Sequence, residues 1–97
     1  MKFEWDDEKN RRNFDKHGIH FEEAVEIFKY PIFTVVDDRQ DYGEWREISI
    51  GMVGINVVIV VVHTDRNGKK RLISARKANH KERRIYDDHI KKTFEGN

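Results

Sequence analysis

The run Val57-Val58-Ile59-Val60-Val61-Val62 leaves this chain the fewest options. Six β-branched residues in succession favour a strand over a helix. With no polar alternate position, the run predicts a strand covered on both faces. Left unpaired, such a segment is an aggregation hazard, so it belongs in mid-sheet with other strands outside it. At six residues it is far short of the roughly 20 needed to cross a bilayer. The chain has 97 residues, 37% of them apolar, enough for one small core and not for two. A single domain over residues 1–97 is expected.

The remaining elements arrange themselves around that strand. Phe3-Glu4-Trp5 is a short strand or the lead-in to a helix. Asp6 or Asp7 caps a helix running to about Lys16, which Gly18 ends. Asp7 faces Arg11 and Glu8 faces Arg12 at i,i+4. The only apolar residue inside this helix is Phe14, so it should lie on the surface. Phe21, Ala24, Val25 and Phe28 make the apolar stripe of a second helix, which Pro31 ends. Ile32 to Asp37 reads as a strand, Asp38 to Glu44 as a polar loop, and Trp45 to Met52 as an alternating strand. Val53-Gly54 is a turn, and Asn67-Gly68 marks a hairpin leading to a last strand, Arg71 to Arg76. Asn79 and Glu82 have the spacing of a capping box for a final helix, with Ile85, Tyr86, His89, Ile90, Thr93 and Phe94 as its inward stripe. The order is helix, helix, antiparallel meander, helix. It predicts an α+β fold with the helices packed on one face of the sheet.

The formal net charge of +1 hides a division. Residues 1–65 hold 8 basic and 14 acidic side chains, and residues 66–97 hold 11 basic and 4 acidic. From Arg66 to Arg84 nine basic residues meet one acid, Glu82. Such a block suits a phosphate-bearing partner, or else it is a solvated face balanced by the acidic half of the molecule. The chain has no cysteine, which removes disulfides, thiol catalysis and Cys-based metal sites. A small domain without disulfides fits the reducing cytoplasm, and the N-terminus has no signal-peptide core.

His17, His20, His63, His80 and His89 show no metal-ligand spacing, so neither metal nor cofactor is expected. Ser49 and Ser74 lie inside strands without a sharp glycine-flanked turn, and no glycine-rich phosphate loop is present. What remains is centred on arginine. Arg66 lies at the hairpin, Arg76 at the end of the last strand, and Arg83 one turn into the final helix with Tyr86 beside it. His63 lies near the end of the central strand. Pattern alone does not bring these groups together, since Arg66 and Arg76 lie at opposite ends of one hairpin. Ion pairing, as between Arg83 and Asp87, accounts for each arginine equally well.

Several segments resemble the BrnT family of toxins from bacterial type II toxin–antitoxin pairs. They are Phe3-Glu4-Trp5-Asp6, Asn13-Phe14-Asp15-Lys16-His17-Gly18-Ile19, Phe21-Glu22-Glu23-Ala24, Ile73-Ser74-Ala75-Arg76-Lys77-Ala78 and Glu82-Arg83-Arg84-Ile85-Tyr86. They occur in order over nearly the whole chain. The resemblance implies a RelE-like ribonuclease fold, inhibition of translation by RNA cleavage, and neutralisation by a BrnA-type antitoxin. Arg66 and Arg76 are the first residues it carries over, followed by Lys16, His17, Arg83 and Tyr86. The segment Val62-His63-Thr64-Asp65-Arg66 also matches, with His63 where the family often has an aromatic.

The chemistry this implies uses no metal. A ribose 2′-OH attacks the adjacent phosphate and leaves a 2′,3′-cyclic phosphate and a 5′-OH. A base takes the 2′ proton, a cation stabilises the dianionic transition state, and an acid protonates the leaving oxygen. Arg66 and Arg76 fit the cation's role, because a guanidinium stays charged and grips two phosphate oxygens. Lys16, His17 or His63 would be the base, and Tyr86 or His63 the acid. The expected substrate is mRNA, with the ribosome as a source of positioning. Two other readings of the same basic patch stay open: a non-catalytic nucleic-acid-binding module, and a docking domain for an acidic protein.

Overall fold

A computed structural model describes the backbone of residues 1–95 and the side chains of residues 1–93. The elements in chain order are β1 (Phe3–Glu4), α1 (Asp7–His17), α2 (Phe21–Ala24), a 3₁₀ turn (Val25–Lys29), β2 (Phe33–Val36), β3 (Glu47–Val53), β4 (Val57–Arg66), β5 (Lys69–Lys77) and α3 (His80–Glu95). The strands form one sheet in the order β1-β5-β4-β3-β2. β4 carries the Val57–Val62 run and is the middle strand, with Val58 to Val62 buried. The β2 to β5 neighbours pair antiparallel, and β1 joins β5 in parallel at Lys70 and Arg71. Asn67 and Gly68 turn the β4–β5 hairpin with φ of 54° and 77°, the pair of positive values a tight primed turn needs. The β3–β4 link is longer than the expected Val53-Gly54 turn. Gly54, Ile55 and Asn56 form it, with Gly54 and Asn56 at φ of 61° and 65°. Among the described residues no helix is long and apolar enough to cross a membrane.

Helices cover both faces of the sheet, not the one face expected. Successive side chains of a strand point to opposite faces, so an unbroken apolar strand needs two covers. Ile59, Val61, Leu72 and Ala75 meet Ile19, Phe21, Ala24 and Ile27 on one side. Ile50, Val58 and Val60 meet Tyr86 of α3 on the other.

The second helix departs from its expected stripe. After Ala24 the chain tightens into the 3₁₀ turn, whose three residues per turn align Phe21, Ala24 and Ile27. These three are fully buried, whereas Val25 and Phe28 are partly buried beside them. Gly51 permits this close approach, since a Cβ there would stand 2.6 Å from the Ile27 Cβ. Tyr30 ends the turn in an extended conformation, as a residue before proline must.

The first helix has the expected ends, capped by Asp6 and closed by Gly18 at φ 73°. Phe14 is 42% exposed and stacks on His20. The helix is attached by amides. Asn10 accepts from the Phe21 N–H at 2.7 Å and donates to Glu22. Asn13 donates to the Ile19 and Ala75 carbonyls at 2.9 and 2.8 Å and accepts from the Ala75 N–H at 3.0 Å. β1 covers the outer edge of β5 only as far as Arg71, and the Asn13 carboxamide is the next partner that edge finds. Asn13→Ala should lower stability by about 3 kcal/mol, because it leaves three buried backbone groups unpaired. Urea unfolding measures this, and a loss below about 1 kcal/mol would show that water replaces the amide.

Asn79 and Glu82 form the expected capping box of α3, with reciprocal bonds of 2.8 and 2.9 Å. The inward face of the helix is narrower than expected. Tyr86 is buried and His89 and Ile90 are partly so, but Ile85 and Thr93 are exposed. The Phe94 side chain lies outside the described residues.

Candidate active site

α3 leaves part of its face of the sheet open. The strand registers place Phe33, Ile50, Val60 and Arg76 in one row on this face. The next row on the same face is Val35, Ile48, Val62 and Ser74. Beyond it the β2–β3 loop closes the end of the sheet. The Asp37 N–H donates to the Arg46 carbonyl at 2.8 Å, and the Thr64 hydroxyl donates to the Trp45 carbonyl. The second row is therefore a mostly apolar floor, with Arg76 on one side and the loop on the other.

Arginine–carboxylate pairs make both walls. Arg76 donates from Nη1 and Nη2 to the two Glu82 oxygens at 2.8 and 2.7 Å, and its side chain is 40% exposed. Glu82's bonds raise the Arg76 pKa above its ordinary value, against the opposing effects of burial and the like charge of Arg39. The same bonds hold the Glu82 carboxyl below its usual range. Across the floor Arg39 donates to both oxygens of the buried Asp37 at 2.7 and 2.8 Å. Those bonds bring the Asp37 carboxyl down to about 2. Glu44 bridges Arg46 and Arg66 at 3.0 Å each, which lowers its own pKa, and the Arg46 guanidinium lies 4.1 Å from the centre of the Tyr42 ring. Four guanidiniums thus face three carboxylates.

The expected site residues divide between separate places. Arg76 stands beside the floor, and Arg66 joins the loop wall from the β4–β5 hairpin. Arg83 is near Arg76 in sequence, but its Nη1 donates to the Asn56 carbonyl at 2.7 Å and its Nε lies 3.8 Å from Asp87. Tyr86 is 5% exposed under α3, its hydroxyl 3.4 Å from the Pro31 carbonyl, and burial raises its pKa. A phenol so enclosed does not reach a substrate on the open floor. Lys16 and His17 end α1 and line a groove with Lys9, Arg12, Ile73 and Ser74, on the outer flank of β5.

His63 lies on the opposite face of the sheet. It is 1% exposed, with Nε2 bonded to the Ser49 hydroxyl at 2.7 Å and the Phe28 ring edge-on at 5.2 Å. Burial, with the nearby charge of Lys70, lowers its pKa to about 4. The expectation that His63 serves as base or acid is therefore corrected, because its ring is enclosed and on the other side of β4. Asp37, Arg39, Tyr42, Glu44 and Arg46 were not singled out in the sequence. The only signals were the i,i+2 spacing of Asp37 with Arg39 and of Glu44 with Arg46, which a polar surface loop also shows.

A family model described as the ribonuclease toxin BrnT of a type II toxin–antitoxin system matches residues 5–82. That span includes Arg66, Arg76 and the whole β2–β3 loop. The crystal structure of the Brucella abortus ribonuclease toxin BrnT is similar, with 27% sequence identity and a TM-score of 0.63. The match covers 82% of this chain and 99% of that one. No curated protein sequence matches.

Proposed function

Because the chain belongs to the BrnT family of ribonuclease toxins of type II toxin–antitoxin systems, we propose that it cleaves RNA on the floor between Arg76 and the β2–β3 loop, by metal-independent attack of a 2′-OH. The Arg76–Glu82 pair beside the open floor carries this reading. A phosphate arriving there replaces one carboxylate with another anion on the same guanidinium fork. Arg76 then stabilises the charge that builds on the phosphate oxygens, and Arg66 supports it from the loop wall. Glu82, released from its pair and already ionised, is the acceptor nearest that phosphate and takes the 2′ proton. The 2′ oxygen bonds to phosphorus, the bond to the 5′ oxygen breaks, and that oxygen takes its proton from solvent. Arg83, held by the Asn56 carbonyl, and Lys16 and His17 meet RNA away from the broken bond.

Even when freed from Arg76, Glu82 is a weak base, because an ordinary carboxylate has a pKa of about 4.3. Catalysis is then modest unless a second surface positions the RNA, and mRNA held in the ribosome meets that need. A BrnA-type antitoxin neutralises the toxin by laying acidic side chains over Arg66 and Arg76.

Purified protein should cleave RNA equally well with and without EDTA and leave cyclic-phosphate ends. Replacing the 2′-OH at the cleaved nucleotide by hydrogen should stop it. Loss of cleavage in EDTA, restored by one divalent metal, would overturn the metal-free mechanism. Tight, salt-sensitive RNA binding without any cleavage would favour a binding module instead.

A further inference from the structure

Asp37 and Arg39 make an unusual anchor for a surface loop. The Asp37 side chain is 0% exposed, yet the Arg39 side chain it binds is 61% exposed. Its Oδ1 takes the Arg39 Nε–H at 2.7 Å and its Oδ2 takes Nη2 at 2.8 Å. The Arg39 backbone N–H adds a third, longer bond of 3.3 Å to Oδ1. Burying a carboxylate carries a heavy desolvation penalty, and an arginine needed only for solubility requires no such partner. The anchor also stands on the sheet. The Asp37–Arg46 backbone bond continues the β2–β3 ladder one step past Val36, so the fork is fixed to a strand.

This fixed guanidinium points toward a like charge. Asp37 shares a face with Val35, and Arg76 shares it with Val60, so the two arginines stand on opposite sides of the same floor. Their rows are four residues apart along the strands, about 13 Å, and β2 and β5 lie three strand spacings apart, about 14 Å, so the Asp37 and Arg76 backbones stand about 19 Å apart and both long side chains reach inward across that diagonal. Two cations held facing one another repel when nothing lies between them. An anion that spans them removes the repulsion.

We propose that Arg39, positioned by the buried Asp37, is a second phosphate-binding cation that grips the RNA phosphodiester next to the one held at Arg76. This rests on the reading that RNA lies on this floor, and it adds the strand's direction: diagonally across the sheet, from Arg76 on β5 toward the β2–β3 loop. Arg39 touches the substrate; Asp37 acts through it as a positioning residue.

The test uses a single-stranded 2′-O-methyl RNA, which binds but cannot be cut, titrated at several salt concentrations. Arg39→Ala should weaken binding and flatten the slope of log K against log salt by about 0.7, the loss of one single-strand phosphate contact. Arg39→Lys keeps the charge but loses the fork, and should still bind several-fold more weakly. Asp37→Asn is decisive in sign. It removes a negative charge from the site, so general electrostatics predicts tighter RNA binding, whereas loss of positioning predicts binding several-fold weaker. The double variant Asp37→Asn/Arg39→Ala, which strands no buried charge, should match Arg39→Ala alone and guards against a folding artefact. RNA binding by Asp37→Asn equal to or tighter than that of the wild type would overturn the proposal while leaving the cleavage reading intact. So would weakened antitoxin capture with unchanged RNA binding, which would assign Arg39 to the protein partner. A wild type that neither binds nor cuts RNA overturns the parent reading as well.

Discussion

Arg76→Ala should reduce RNA cleavage by about a hundredfold or more, the usual effect of removing one preorganised donor from a charge-stabilising site. Growth inhibition on expression should disappear with it. The folded state should survive. Arg76 is part-exposed at the rim, and without it Glu82 still closes the capping box on the Asn79 N–H. Stability should fall by about 1 kcal/mol, as expected for a part-exposed ion pair. Arg76→Lys should recover only part of the activity, because an ammonium cannot grip two oxygens in one plane. Glu82→Gln separates the two roles of the pair. If Arg76 serves only to brace α3, both variants will lose the same stability and neither will lose cleavage. Full cleavage by Arg76→Ala at equal protein level would remove it from the site.

The Val57–Val62 run was a better guide to architecture than the order of elements. Apolar on every position, it already called for cover on both faces, and the structure has helices on both. Element order alone suggested one covered face, because order says nothing about which side a terminal helix takes. The hairpin at Asn67-Gly68 and both α3 capping residues were legible, since their chemistry is local. The attachment of α1 was not. Asn10 and Asn13 look like solvent-facing residues until the start of α2 folds back on Asn10 and β5 brings its edge to Asn13, 62 residues later. Ile27 was missed because the expected period was 3.6 and the chain tightened to three. In the site, charge density marked the whole basic block from Arg66 to Arg84, and the family resemblance put Arg66 and Arg76 first within it. Arg39 did not stand out, because its role depends on a carboxylate buried by tertiary packing. His63 looked available for the same reason in reverse: polarity is visible in a sequence and burial is not.

That burial makes His63 the group that should set the protein's acid stability. A histidine of ordinary pKa near 6.5 in the unfolded chain falls to about 4 in the fold. The folded state therefore prefers the neutral ring, and the unfolded state binds the extra proton first. Stability from this source is complete above about 6.5 and is lost as pH falls toward 4, by about 3 kcal/mol over the whole window. The surroundings offer little to hold a cation. Ser49 takes one ring nitrogen and is itself bonded to Thr34, Nδ1 has no partner among the described residues, Phe28 packs against the ring, and Lys70 adds a like charge. Asp65 works in the opposite sense as the smallest contribution, and Glu47 stands across the ladder on β3. Asp37 stays ionised throughout, with its pKa at about 2, so the Asp37–Arg39 pair does not release in this range. Urea unfolding at pH 7, 5.5 and 4.5 should show the decline, and His63→Phe, which places an aromatic against Phe28 with no charge to acquire, should flatten it. A wild type equally stable at all three values, or a His63→Phe variant with an undiminished slope, would show that other groups govern the acid limit. Because His63 faces away from the floor proposed for RNA cleavage, the His63→Phe variant should keep its cleavage at pH 7. Activity lost in His63→Phe while the protein remains folded would return the histidine to the chemistry.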